Sequence, residues 1–398
     1  MNNLPTYSYY QNITKDLQLP FAFIDIDLFN QNIKDSLQRA KGKNGRVASK
    51  SIRSIEILKK IMSSSDVFQG LMCFSVAEAI YLSKNGFDDL LLGYPCMQED
   101  LLKKAVQEIR NGKTICFMVD LEEHIQLLDK IGQEMGVKIP VCIDLDMSSS
   151  FPFLHFGVFR SRINSVERAV DLYKKIRSLD YVYLDGIMGY EAQIAGVGDE
   201  VPGEAPKNAV VKFLKSISIK ELKKRREEVV KKLQELGATL RFVNGGGTGS
   251  IESTKEETVV TEIAVGSGFY CSGLFDNYSN FKHLPAAAYA IEVVRQPKEG
   301  LIVCHGGGYT ASGSIEKNKQ PVPYLPKGLK ITVNEGVGEV QTPMLYTGHE
   351  KLALGNPVFM RHSKAGELCE RFNTLYLISQ GKIIGEAKTY RGEGQCFL

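Results

Sequence analysis

Lys50 stands where a short extended stretch, Arg46-Val47-Ala48-Ser49-Lys50, gives way to the amphipathic run Ser51-Ile52-Arg53-Ser54-Ile55-Glu56-Ile57-Leu58. Its carbon stem follows a β-branched residue and two small ones, with no room for an exposed helical turn. Desolvation at such a place disfavours the ammonium and favours the free amine that Schiff-base chemistry uses. Alone, a lysine there reads more simply as a loop cap. A second feature changes its meaning: the run Val243-Asn244-Gly245-Gly246-Gly247-Thr248-Gly249-Ser250 places a glycine turn directly after an apolar stretch. Backbone amides in such a turn can converge on a dianion because no Cβ blocks the approach, and Thr248 adds a hydroxyl. The Gly-Lys-Ser/Thr of a triphosphate loop is absent. A further turn, Gly266-Ser267-Gly268-Phe269-Tyr270, offers another amide at Gly266 and the Tyr270 hydroxyl. An amine on one side and a phosphate cradle on the other imply an aldehyde with a phosphate tail, and pyridoxal 5′-phosphate (PLP) has both ends.

These residues need a scaffold that gathers strand ends. Between residues 20 and 275, short β-branched runs alternate with segments of helical period. Phe21 to Ile26 reads as a strand followed by a helix from Leu28 to Arg39. Further strands are read at 67–74, 90–94, 114–119, 139–146, 181–188 and 240–244. Helices end at glycine-containing stops such as Asn85-Gly86, Asn111-Gly112 and Leu236-Gly237. About eight strand–helix repeats in about 250 residues is the arithmetic of a (β/α)8 barrel, whose chemistry sits at the strand C-termini. Lys50, Asp146, Tyr190 and the run after Val243 would share that rim. An open doubly wound sheet would need a glycine-rich turn after its first strand, and none is there. Beyond about residue 285, strand-like runs punctuated by Gly and Pro indicate a mainly antiparallel β domain. The expected division is therefore an N-terminal segment 1–20 packing on the β domain, a PLP-binding α/β barrel over 21–284, and a C-terminal β domain over 285–398.

Composition narrows the function class. The net charge is +3 with acids and bases interspersed, so no basic face suggests nucleic acid. The cluster Lys223-Lys224-Arg225-Arg226-Glu227-Glu228 reads as a solvated helix laced with ion pairs. Eight cysteines without CxxC spacing read as reduced thiols, and the polar start Met1-Asn2-Asn3-Leu4-Pro5 has no apolar leader core. No run reaches membrane-spanning length. A cytoplasmic protein is expected, with no membrane or nucleic-acid partner.

Taken together, Lys50, Cys73-Phe74-Ser75-Val76-Ala77-Glu78-Ala79, Leu91-Leu92-Gly93-Tyr94-Pro95, Gly189-Tyr190-Glu191 and Asn244 to Thr248 resemble the alanine-racemase-like PLP barrel family. Within it they are most similar to the D-threonine aldolase and D-serine dehydratase branch, over nearly the whole chain. The resemblance implies that Lys50 holds PLP as a Schiff base and then acts on the substrate Cα proton. It implies that Gly246, Gly247, Thr248, Gly266 and Tyr270 hold the phosphate. His155 occupies the position resembling the family's arginine beside the ring, and Tyr190 would stack on or hydrogen-bond the cofactor. Gln193 departs from the histidine expected in its stretch.

In the β domain, Gly348-His349-Glu350 and Arg361-His362-Ser363-Lys364 stand where that branch has its Glu-His-Gly and metal-binding motifs. His362 is the implied ligand of a divalent metal. Lys364 occupies the place of the second ligand, and a protonated lysine does not ligate. Glu367 or Cys369 would have to substitute, or the Lys364 ammonium would replace the ion's charge. The change at the ligand position itself favours the metal-free version. His349 and His362 are the candidates for acid or base at the β-hydroxyl. His305, in the glycine-rich loop after Cys304, reads as a turn residue before a substrate reader.

The expected activity is that of a PLP-dependent lyase, a deaminase/dehydratase or retro-aldolase, on a small D-β-hydroxy amino acid such as D-serine or D-threonine. A homodimer is implied by relatives whose β domain reaches a partner's barrel. Lys50 is followed by Ser51-Ile52-Arg53 and not by the Ala-Asn-Ala-Tyr-Gly of alanine racemases, which disfavours simple alanine racemisation. An amino-acid racemase or epimerase is the close alternative. More distant ones are a non-catalytic PLP carrier and a Schiff-base aldolase without PLP.

Overall fold

A computed structural model describes residues 4–313 and 319–397. Met1–Asn3 of the expected N-terminal segment, and residues 314–318 and Leu398 of the expected β domain, lie outside the described residues. The chain forms two compact units. One comprises Ser36–Lys50, Leu58–Gly266 and Phe397; the other comprises the segments up to Asp35, Ser51–Ile57, and Ser267–Cys396.

The first unit is a closed parallel barrel of eight strands. In chain order these are Asn44–Ala48, Phe68–Cys73, Leu90–Leu92, Ile115–Val119, Ile139–Asp144, Val182–Gly189, Phe242–Gly245 and Glu262–Val265. Closure comes from the last strand pairing with the first, Ile263 opposite Gly45 and Val265 opposite Val47. Apolar and β-branched residues fill these strands because both faces are buried, one against the interior and one against helices. The interior holds Leu91, Cys116, Met118, Cys142, Met188 and Phe242. Gly186 makes room for the Phe242 ring, whose edge would lie 2.4 Å from a Cβ at that position. Helix starts are fixed locally: Ser75 accepts from the Glu78 amide at 3.2 Å while Glu78 reaches back to the Phe74 amide at 2.7 Å.

The second unit is a nine-stranded, mostly antiparallel sheet. Its central strand is Phe21–Asp25, antiparallel to Ala287–Lys298 and parallel to Thr374–Ser379. All five residues of that strand are buried. The helix Tyr7–Ile13 covers it: the Tyr10 ring lies 4.8 Å from Phe23 and 5.7 Å from Phe359, and its hydroxyl donates to Asp25 at 2.8 Å.

The barrel and the antiparallel sheet agree with the expected fold class, but the division of the chain differs. Phe21–Asp25, read as a barrel strand, belongs to the sheet. A fully apolar five-residue run carries no periodicity that separates the two environments. The sheet unit takes the chain again from Ser267, not from residue 285. Two strands carrying proline, Val322–Leu325 and Gln341–Tyr346, were not legible as strands because proline removes a ladder donor.

Candidate active site

Within the barrel unit, the C-terminal strand ends gather an amine, two phenols, a guanidinium and a carboxyl. Lys50 lies two residues past the end of its strand, in the single 3-10 turn Ser49–Ser51. The expectation of no helical turn there is corrected: Ser49 donates to the Met72 carbonyl at 2.9 Å, pinning a tight turn to the neighbouring strand. The Lys50 Nζ is 3.4 Å from the Tyr94 Oη and 5.9 Å from the ring centroid. Tyr94 also accepts from Arg160 Nη2 at 3.2 Å. The Arg160 guanidinium lies 5.0 Å from the Tyr94 ring centroid and 5.1 Å from that of Tyr190, a double cation–π arrangement. Burial pushes the Tyr190 phenol up to about 12. Burial also works against the Tyr94 phenolate, but Lys50 and Arg160 outweigh it and hold the phenol below its ordinary value.

Asp144 ends the strand Ile139–Asp144 and is 6% exposed. Burial raises its carboxyl to about 7, with Arg160 opposing and the charges of Asp120 and Asp146 adding. Asp146, expected on the rim, follows the end of that strand and turns the chain, accepting from the Ser148 amide at 3.0 Å and its hydroxyl at 2.8 Å.

The glycine turn follows the strand Phe242–Gly245. Gly246 has φ +80°, and a Cβ on it would come within 2.9 Å of Ile263 Cγ2. A Cβ on Gly247 would meet Ala195 at 3.0 Å and the Tyr190 ring at 3.3 Å. Thr248 is 5% exposed. Gly266 follows the adjacent strand, so the two glycine turns are neighbours, as Gly245 pairs with Ile263. Two of the expected donors are partly committed: the Gly246 amide donates to Glu191 at 3.2 Å and the Gly247 amide to Ser250 Oγ at 3.1 Å. Glu191 is thus the organiser of the turn, also accepting from Ser250 at 3.1 Å and from Thr254. It is held by the fully buried Arg226, which contacts Glu191 at 3.0 Å and Glu257 at 2.6 Å. The charged cluster around residue 226, read as a solvated helix face, therefore contains one buried arginine on the 31-residue helix Ala205–Glu235.

His155 follows the barrel strand Ile139–Asp144. It lies on the hairpin Ser149–Phe151/Leu154–Phe156, its ring stacked on Phe159 at 3.9 Å and 11°, with Nε2 buried and without a hydrogen-bond partner. The arginine beside the Tyr94 phenol is Arg160, five residues further on. An arginine ending the apolar run Phe156-Gly157-Val158-Phe159 was the available signal. Gln193 is buried and donates to Met147 O at 2.6 Å and Ser218 Oγ at 2.9 Å, a structural role.

The remaining expected residues lie in the sheet unit. Tyr270 is buried, and its hydroxyl donates to the Ile52 carbonyl at 3.0 Å in place of an open direction. Its ring stands edge-on to His362 at 6.4 Å. His362 has no exposed surface, and neither ring nitrogen makes a hydrogen bond of good geometry. Burial drives its pKa to about 3, the neighbouring Arg361 charge adds to this, and the Ala365 backbone offsets part of it. The Lys364 Nζ donates to Ser312 O at 3.1 Å, while Glu367 accepts from the Ser312 amide at 2.9 Å. Cys369 Sγ contacts Ile52 O at 3.3 Å, and burial pushes its thiol up to about 12. Among the described residues, no group of three or more His, Cys, Asp or Glu could hold a metal ion.

His349 is exposed beside Glu350, whose charge bears on Tyr7, and Tyr7 donates to Pro357 at the start of the strand Pro357–Arg361. His362 follows the other end of that strand. His305 is exposed at the end of Leu301–His305, paired with Glu292 and Gln341.

Comparison with known proteins adds the family. The family described as alanine racemase, N-terminal domain, matches residues 24–272. This chain belongs to that family. It is 22% identical over 254 residues to 3-hydroxy-D-aspartate aldolase of Paracoccus denitrificans (strain Pd 1222), covering 63% of this chain and 60% of that protein's length. The fold is similar to the crystal structure of D-threonine aldolase from Filomicrobium marinum, with TM-score 0.78, 18% identity, and coverage of 95% and 96% of the two chains. It is also similar to D-threo-3-hydroxyaspartate dehydratase from Delftia sp. HT23, with TM-score 0.75, 17% identity, and coverage of 95% and 98%. Alanine racemase of Clostridium difficile 630 matches with TM-score 0.63 and 16% identity over 93% of this chain and 98% of that one. For this alanine-racemase-family chain, no described helix is long and apolar enough to cross a membrane.

Proposed function

We propose that this chain is a PLP-dependent lyase acting on a small D-configured β-hydroxy amino acid. The observation that carries the reading is the convergence, in one barrel mouth, of the Lys50 amine with the two adjacent glycine turns. The residues fit the cofactor. Gly246 and Gly247 form a turn too tight for a Cβ, Thr248 adds a hydroxyl, and His155 keeps a buried nitrogen without a partner. Lys50 would hold PLP covalently, the turns at Gly246–Thr248 and Gly266 its phosphate, and Tyr190 and Arg160 its ring. Tyr270 would act indirectly, by holding the Ile52 carbonyl. Bound PLP supplies an electron sink for negative charge at the substrate Cα.

Lys50 then holds or moves the proton at Cα. Arg160, permanently charged, orients Tyr94 and balances negative charge near the mouth. The β-oxygen needs a base for retro-aldol cleavage and an acid for dehydration. In the sheet unit, His362 is the candidate in its neutral form, with Lys364 supplying positive charge in place of a metal. His349 is proposed as the other candidate for that role. The relatives' names, aldolase and dehydratase on D-threonine and 3-hydroxy-D-aspartate, support the substrate class and leave both outcomes at the β-carbon within the reading. A cytoplasmic homodimer belongs to it too, supported by the buried thiols of Cys73, Cys116, Cys142, Cys271, Cys304 and Cys369 and by exposed apolar side chains at Phe153, Phe159 and Phe213. A monomer by sedimentation would remove the dimer.

The test is purification with PLP and incubation with D-serine, D-threonine and 3-hydroxy-D-aspartate, measuring keto acid, aldehyde and L-enantiomer separately. Wild type is expected to carry visible PLP absorbance and to release keto acid or aldehyde; Lys50→Ala is expected to lose both. Accumulation of L-enantiomer alone would replace the lyase with a racemase.

A further inference from the structure

Tyr94 is placed between two cations. Its Oη lies 3.4 Å from Lys50 Nζ and 3.2 Å from Arg160 Nη2. Arg160 is itself fixed over the faces of Tyr94 and Tyr190. The phenol oxygen is therefore an acceptor for a proton leaving Lys50, and it is also held by Arg160, a group that cannot take the proton back.

We propose that Tyr94 is a catalytic acid–base residue that exchanges a proton directly with the Lys50 amine. The assignment rests on the reading of Lys50 as the cofactor lysine. In the forward step an N–H bond of the Lys50 ammonium breaks and its electron pair stays on nitrogen. The proton forms an O–H bond on the Tyr94 phenolate, giving a neutral amine and a neutral phenol. The reverse step restores both charges, and no other reactant enters. An amine must be free to attack a carbonyl carbon, and a phenolate within reach of Lys50 Nζ takes the proton without bulk hydroxide.

The groups that face Tyr94 set the direction of its titration. Burial opposes its ionisation, while Lys50 and Arg160 favour it and prevail. Tyr190, on the far side of Arg160, stays a neutral phenol because burial pushes it up to about 12. Asp144 interacts with Arg160 and tempers its field once ionised. Tyr94 is 39% exposed, so solvent moderates these effects.

The experiment has two readouts. In the apoprotein, near-ultraviolet phenolate absorbance is titrated for wild type, Tyr94→Phe, Lys50→Met and Arg160→Met. Wild type is expected to show a phenolate rise below the ordinary tyrosine range of about 10, absent in Tyr94→Phe and moved upward in both cation variants. In the second readout, PLP is added to apoprotein and the rate of appearance of bound-cofactor absorbance is followed against pH. Tyr94→Phe is expected to slow capture near neutral pH by about 10²-fold, the lower end for general acid–base catalysis, and to recover towards wild type at alkaline pH. Superimposable phenolate titrations for wild type and Tyr94→Phe, or capture with unchanged rate and pH dependence, overturn the proposal. Failure of wild type to take up PLP would sink the cofactor reading instead, and the phenolate titrations would still decide whether Tyr94 and Lys50 share a proton.

Discussion

Asp144 shows how a single barrel-mouth residue ties the site to stability. Its folded pKa of about 7 lies above the unfolded value of about 3.9, because burial disfavours the carboxylate. The folded state therefore binds the proton more tightly. The stabilisation is fully present below about pH 4 and is lost as pH rises through about 7, with a slope of up to ~1.4 kcal/mol per pH unit in that window. Asp144→Asn should flatten this limb, matching wild type near pH 4 and exceeding it near pH 8 in urea melts. Parallel pH dependences for the two proteins would assign the titration elsewhere. His362 acts with the opposite sign. Its pKa of about 3 lies below the ordinary histidine value, so its contribution is present above about 6.5 and declines as pH falls. Both residue types were visible in the chain, but burial was not. Asp146 and Asp144 are indistinguishable by spacing, and the turn at Ser148 is what separates a capping carboxylate from a buried one.

At the scale of elements, the helix Ala205–Glu235 carries the positioning of the glycine turn. Leu222, Val229, Val230 and Leu233 bury one stripe of it, and Arg226 projects from that stripe between Glu191 and Glu257. Arg226 also donates to the Gly189 carbonyl at 3.0 Å, so strand end, turn and helix share one guanidinium. Arg226→Met should leave two buried carboxylates without their counter-charge, costing roughly 3–5 kcal/mol. Arg226→Lys, with one charge but no planar fork, should fall between. Chemical denaturation measures the loss, and PLP titration should show weaker binding in the same order. Unchanged stability in Arg226→Met would mean that the ion trio does not hold the turn. The helix itself was legible from its charges and its glycine stop, whereas which of Arg225 and Arg226 is buried depends on the angle at which the helix meets the barrel.

For the whole molecule, the path of the chain matters more than the order of its motifs. The polypeptide passes between its two units repeatedly, and the sheet's central strand comes from Phe21–Asp25. A fragment of residues 285–398, the expected β domain, lacks the strand that joins Ala287–Lys298 to Thr374–Ser379. That fragment should fail to give dispersed amide resonances or a cooperative melt, since two unsatisfied strand edges would be left exposed. A cooperative fold in isolation would show that the central strand is dispensable. The alternation of short apolar runs with amphipathic helices was enough to announce a barrel, because every parallel strand needs a helix to return the chain. By itself the sequence determined the barrel, the glycine turns and the lysine at a strand end, since these follow from local periodicity and backbone sterics. Tertiary structure decided which side chains meet: Arg160 at the Tyr94 phenol, Tyr270 at the Ile52 carbonyl, and Arg226 between Glu191 and Glu257. Such encounters depend on strand register and loop closure across long sequence separations, which residue types and spacing do not encode.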